Sequence, residues 1–240
     1  MAAARKKKAD APTEIMGWWF AASDELPHGD GRKVVVGETL TVDGKIVPCE
    51  HGLHASVDPL DALQYTPGAI LYRVRLSGTI VAHDNDKYAA SERTAIAKRD
   101  STQMLWAFAR KVALSVIHLW DAPTIVREYL ETGDESKRAV ARDAAGDAAW
   151  AAAGAVARDA AWAAATASGP AAWAAAWAAA WAAARDAAWA AAGAAARAAA
   201  GDAAGDAAGD AARAAAEAVA RDAARKLFNE MVTQLFEGEE

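Results

Sequence analysis

Cysteine is nearly absent: Cys49 is the single thiol in 240 residues. One cysteine excludes an intramolecular disulfide framework and fits a reducing compartment. An excess of positive charge is missing as well. Twenty-six Lys and Arg stand against 32 Asp and Glu, a formal net charge of −6, so nucleic acid is not expected as a ligand. The basic run Arg5-Lys6-Lys7-Lys8 is confined to residues 1–13, which read as a solvated, disordered tail. Met1 to Pro12 is too charged for a secretory signal. Long uninterrupted apolar runs are lacking, because charges break the alanine-rich half; no membrane span is expected, and the cytoplasm is the expected compartment. No Gly-rich phosphate loop follows a strand, and there is no nucleophile elbow.

Strand-forming residues are scarce beyond Asp134, and what replaces them is alanine in a tetrapeptide repeat. Steps of four from Arg142 give Gly146, Trp150, Gly154, Arg158, Trp162 and Thr166. After Ser168-Gly169-Pro170 the repeat restarts in a new frame with Trp173, Trp177, Trp181, Arg185, Trp189, Gly193, Arg197, Gly201, Gly205 and Gly209. Alanine has the highest helix propensity and loses no side-chain entropy on ordering. The composition therefore predicts two long helices joined by a turn at 168–170, with Pro170 in a first helical turn. The second helix, roughly 65 residues, would be about 100 Å long if unbroken. Four residues turn through about 400°, so the marked stripe drifts about 40° per tetrad. That drift lies on the right-handed side of supercoiling.

Each indole has on the order of 150–250 Å² to bury, and a lone helix would expose a stripe too apolar for a soluble monomer. Folding back at 168–170 matches residues whose numbers sum to 339, so Trp162 faces Trp177 and Trp150 faces Trp189. An antiparallel dimer of the long helix matches numbers that sum to 382. Trp173 then faces Gly209, Trp177 faces Gly205, Trp181 faces Gly201 and Trp189 faces Gly193. Both registers follow from any four-step repeat. Trp150, Trp162, Trp173, Trp177, Trp181, Trp189, Gly193, Gly201, Gly205 and Gly209 are the candidate interface, and a second copy of the chain is the expected partner.

Residues 14–133 read as one α+β head, strands first and helices after. Glu14 to Ala21, Lys33 to Val36 and Ala69 to Val81 read as strands, the last with Gly78 a candidate bulge. Thr39 to Val47 reads as a hairpin around Asp43-Gly44. Asp58-Pro59 starts a short helix to Tyr65. Asp86 to Lys98 reads as helical; Ser101 caps a helix to about Trp120; Thr124 to Leu130 forms another, ended by Gly133.

Cys49, Glu50, His51 and His54, with His83, Asp84 and Asp86 later, include zinc-ligand types. Their spacing matches no standard zinc signature, so hydrogen-bonded histidines are expected there and no metal. His118 falls in an apolar helix and reads as core.

The block Cys49-Glu50-His51-Gly52-Leu53-His54-Ala55-Ser56, the helix ending at Tyr65, the strand Leu71 to Gly78 and the segment Asp86 to Ser91 with Arg93-Thr94 resemble a domain of unknown function found in bacteriophage proteins. The resemblance covers about Gly17 to Asp134. It implies a phage origin, a host-cell cytoplasmic location, an unknown host partner and no assigned activity. Gly52 to Ser56, Tyr65 and Leu71 to Gly78 are also similar to the middle of ADP-ribosyltransferase domains. No H-G-T segment precedes the block and no clear Glu follows the strand. That resemblance therefore implies either an active transferase or a degenerate nucleotide-binding relative, with His54, Ser56 and Tyr65 as the candidate site. Two expectations follow: a non-enzymatic, cofactor-free interaction head on a self-associating helical repeat, or a nucleotide-binding head with an oligomerising tail.

Overall fold

The computed structural model describes residues 13–27, 30–65, 68–84, 86–151, 155–169, 174 and 204–237. They form an antiparallel sheet and helices, an α+β architecture, in two compact units. The first holds the sheet and a short helix up to Lys98; the second holds the helices from Arg99 onward, joined by Pro67–Ala69.

The sheet unit is built on β1 (Ile15–Ala21), β2 (Thr39–Thr41), β3 (Leu53–Ala55), β4 (Ile70–His83) and β5 (Lys87–Asp100). The strand order is β1-β4-β5-β2, and β3 also pairs with β5. β2 and β3 share that edge end to end: Thr39–Thr41 face Thr94–Glu92, and Leu53–Ala55 face Ala90–Tyr88. α1 (Pro59–Leu63) is capped as its sequence predicts, with Asp58 Oδ1 accepting from Leu60 N at 2.8 Å. The core of this unit gathers Trp19, Leu26, Leu53, Tyr72, Val74 and Leu76. Trp19 and Tyr72 rings lie 5.2 Å apart, and the Tyr72 hydroxyl donates to Asp24, which Lys98 also reaches at 2.6 Å. Both bonds, with Lys98 first, hold the Asp24 carboxyl below its ordinary pKa.

Three sequence readings are corrected here. The stretch Asp86 to Lys98 is not helical: Lys87–Asp100 is β5, the central partner of β4, β2 and β3. Its alanines favour a helix locally, but Ala89, Ala90 and Ala95 are nearly or fully buried against neighbouring strands. Pairing and burial override propensity. Thr39 to Val47 is not a hairpin. β2 pairs with β5 instead, and Val47 bridges His51. Lys33 to Val36 makes only isolated bridges, Lys33 to Glu25 and Val36 to Ala95. Gly78, by contrast, sits in β4 with φ +73°, where a Cβ would collide with the Ser91 hydroxyl.

The helical unit comprises α2 (Thr102–Ser115), a 3₁₀ turn (Ile117–Leu119), α3 (Thr124–Thr132), α4 (Arg138–Ala151), α5 (Ala155–Ala167) and α6 (Ala204–Glu237). α2 stops five residues short of Trp120. Ser101 does not cap it, since its hydroxyl donates to Ala69 O at 2.6 Å; Asp100 Oδ1 accepts from Thr102 N instead. Gly133, at φ +69°, ends α3 in the left-handed conformation expected of a helix stop. His118 is exposed rather than core. α2 packs against α3, α5 and α6, and fully buried Phe108 and Phe228 meet edge-to-face at 4.9 Å.

In the alanine-rich half, α4 and α5 pack on one another, so the chain folds back between them, before 168–170. Among their buried residues are Ala141, Ala145 and Ala149 on α4, and Ala160, Ala161, Ala163 and Ala164 on α5. Trp150 and Trp162 do not nest into bare backbone. They meet each other edge-to-face at 5.9 Å and remain 78% and 41% exposed. The methyl column packs closely because it has no side chain to order; the larger residues of each tetrad fall on the outer face. Trp173, Trp177, Trp181, Trp189, Gly193 and Gly201 lie outside the described residues, as does about half of the expected long second helix. Gly205 and Gly209 lie in α6. The start of the second arm of the expected hairpin about 168–170 thus falls on residues not described.

Candidate functional site

A cavity of about 440 Å³ opens in the sheet unit. Its wall brings together residues from β1 (Trp18, Trp19), the loop before β3 (Cys49, His51), β3 and its exit (His54, Ser56), the end of α1 (Tyr65) and β5 (Lys87, Arg93). The three residues singled out in the sequence, His54, Ser56 and Tyr65, all line it. Ser56 is buried; its backbone exchanges both hydrogen bonds with Trp18, tying β3 to β1 at the cavity floor.

His54 accepts the Cys49 backbone N–H on Nε2 at 3.1 Å, which puts the proton of its neutral ring on Nδ1. The Tyr65 hydroxyl donates to Asp86 Oδ2 at 2.6 Å. Partial burial, and then that carboxylate, push the phenol pKa up, so Tyr65 serves as a neutral donor and not as a base. Gln64 Nε2 binds the same Oδ2. His51 Nε2 lies 2.7 Å from the Asp43 carbonyl oxygen and donates its proton there. Among the described residues no group of three or more His, Cys, Asp or Glu is arranged to hold a metal ion.

The sequence reading missed the two cations. Lys87 is 6% exposed; its ammonium sits 3.8 Å from the Tyr65 ring centroid and donates to Cys49 Sγ at 3.1 Å. Arg93 is 3% exposed. Its guanidinium lies over Trp19 at 4.0 Å and gives one Nη1–H to His54 O at 2.9 Å. Arg93 Nη2 is buried with no hydrogen-bond partner. Desolvation lowers the Arg93 pKa to about 9, which still leaves it charged at neutral pH. A signal existed: Lys87, Ala89, Ser91, Arg93 and Ala95 alternate on one face if the segment is read as a strand. Reading it as a helix scattered them.

Residues 29–107 match the model of DUF7666, a domain of unknown function. The DUF7666 stretch contains β2, β3, α1, β4, β5 and the first turns of α2, and with them every polar wall residue named above; Trp18 and Trp19 precede it. The match carries no link to bacteriophage proteins or to ADP-ribosyltransferases. No curated protein and no solved structure matches the chain.

No helix among the described residues is long and apolar enough to cross a membrane.

Proposed function

We propose that the sheet unit binds a small phosphate-bearing ligand of the nucleotide class in this cavity. The observation that carries the reading is Arg93: a charged guanidinium, almost wholly buried in the cavity wall, with one nitrogen lacking an acceptor. An unpaired buried cation costs free energy unless a counter-charge arrives. Lys87 supplies a second cation at the wall, and Trp18 supplies flat apolar surface for a base. The volume falls in the range of small-molecule sites. Titration calorimetry of the full chain with NAD, ADP and AMP is the test. Binding in the micromolar range that weakens as salt is raised supports the reading; no heat with any of the three at millimolar concentration sinks it.

The alanine-rich half supports a second reading, self-association through its indoles. The exposed Trp150 and Trp162 rings form an apolar patch on the outer face of α4 and α5, and such patches mark contact surfaces. The antiparallel register that sets Trp173 on Gly209 and Trp189 on Gly193, and right-handed coiling of a long helical hairpin, extend this proposal. Sedimentation should show an oligomer at micromolar concentration. A Trp150→Ala, Trp162→Ala double variant should lower the association constant at least tenfold. A wild-type chain that sediments only as a monomer removes the reading.

A further inference from the structure

Cys49 is the one residue at the cavity wall with nucleophilic chemistry and cationic support. Two side chains surround its sulphur, and the ligand-binding reading uses only the first of them. Lys87 directs an ammonium proton at the sulphur from 3.1 Å, and His83 Nε2 stands 3.6 Å away on another side. His83 Nε2 in turn lies 3.4 Å from Asp84 Oδ2. Cys49 itself is exposed and held at φ +67°; Asp84, at φ +50°, is the only other non-glycine with positive φ among the described residues. Left-handed backbone is uncommon for a cysteine. Here the Cys49 N–H bond to His54 fixes it and presents the side chain to Lys87 and His83. The independent pointer to a ligand is again the buried Arg93 nitrogen without an acceptor in the same wall.

We infer that Cys49 is a nucleophilic thiol that attacks an electrophilic carbon on an anionic small molecule seated in the cavity. This rests on the proposed anion-binding role of the same cavity. In the step, the sulphur electron pair forms the S–C bond and the leaving group departs with the electrons of its own bond to that carbon. The thiol proton passes to His83 Nε2 and from there to solvent. Lys87 offsets the negative charge on sulphur as the proton leaves, and Asp84 faces the imidazolium that forms.

Alkylation tests this on the full chain, and with one cysteine the label has a single destination. The probes are iodoacetate, which is anionic, and iodoacetamide, which is neutral; each transfers its methylene carbon to sulphur and releases iodide. Folded Cys49 should favour iodoacetate over iodoacetamide at least tenfold more than the same chain does in urea. ADP should slow the iodoacetate reaction. His83→Ala, at a half-buried position, should slow both reagents about tenfold, and Lys87→Met should erase the preference for iodoacetate. Folded Cys49 reacting no faster than the urea-unfolded thiol with either reagent overturns the inference. So does His83→Ala leaving both rates unchanged. A cavity that binds none of the nucleotides yet keeps the iodoacetate preference overturns the nucleotide reading and leaves this one standing. Nucleotide heats without an iodoacetate preference do the reverse.

Discussion

An Arg93→Met chain should unfold at nearly the same denaturant concentration as the wild type and yet bind nucleotides at least 100-fold more weakly. The two halves of that result come from one side chain. Arg93 is a buried charge whose Nη2 meets no acceptor. Removing it relieves a desolvation cost, and replacing buried ionic groups by apolar groups of similar volume is often neutral or stabilising by about 1–4 kcal/mol. Against that stand the lost hydrogen bond to His54 O and the lost stacking on Trp19. An orphaned carbonyl costs about 1–3 kcal/mol and a cation–π contact is worth about 0.5–2 kcal/mol. The gain of about 1–4 kcal/mol and the losses, together about 1.5–5 kcal/mol, overlap and centre within about 1 kcal/mol of each other. Binding has no such compensation, because methionine offers an anion nothing. A 100-fold loss corresponds to about 2.7 kcal/mol. Urea unfolding and calorimetry on the same preparations check both halves. A variant destabilised by more than about 3 kcal/mol would make Arg93 a structural residue and remove the main support for a ligand.

Phe228→Ala should cost about 3–5 kcal/mol, the typical loss for a fully buried phenylalanine. Phe228 is fully buried against Phe108 of α2, with Val232 one turn further along α6 also buried. α6 therefore joins the core of the helical unit through its last turns. Val219, on the same helix but 69% exposed, supplies the control: Val219→Ala should stay within about 0.5 kcal/mol of the wild type. Denaturant unfolding followed by far-ultraviolet circular dichroism measures both. A Phe228→Ala loss below about 1 kcal/mol would mean that α6 does not hold the unit together.

The parts of this fold that were legible carry their own local signals. β1 and β4 announce themselves by aromatic and alternating apolar residues, α1 by Asp58-Pro59, and the end of α3 by Gly133. β5 was not legible, because Tyr88-Ala89-Ala90 and Thr94-Ala95 read locally as helix and become strand only opposite β4 and β3. That information is non-local. The same misreading concealed Lys87 and Arg93, whereas His54, Ser56 and Tyr65 were found through the block that carries them. In the repeat, the four-step period was plain but its inward column was not. Bulk suggested that Trp faces in, while the buried positions of α4 are Ala141, Ala145 and Ala149. Close approach of two backbones rewards the smallest side chain.

Lys87 and Arg93 stand on one strand, six positions apart. An extended chain rises about 3.3 Å per residue, so their Cα atoms are separated by roughly 20 Å. The side chains bridge part of that span: Arg93 bonds His54 O, Lys87 bonds the Cys49 sulphur, and the Cys49 N–H bonds the His54 ring. The pitch of β5 thus sets how far apart the two charges are anchored, and the contacts around His54 set how closely they converge.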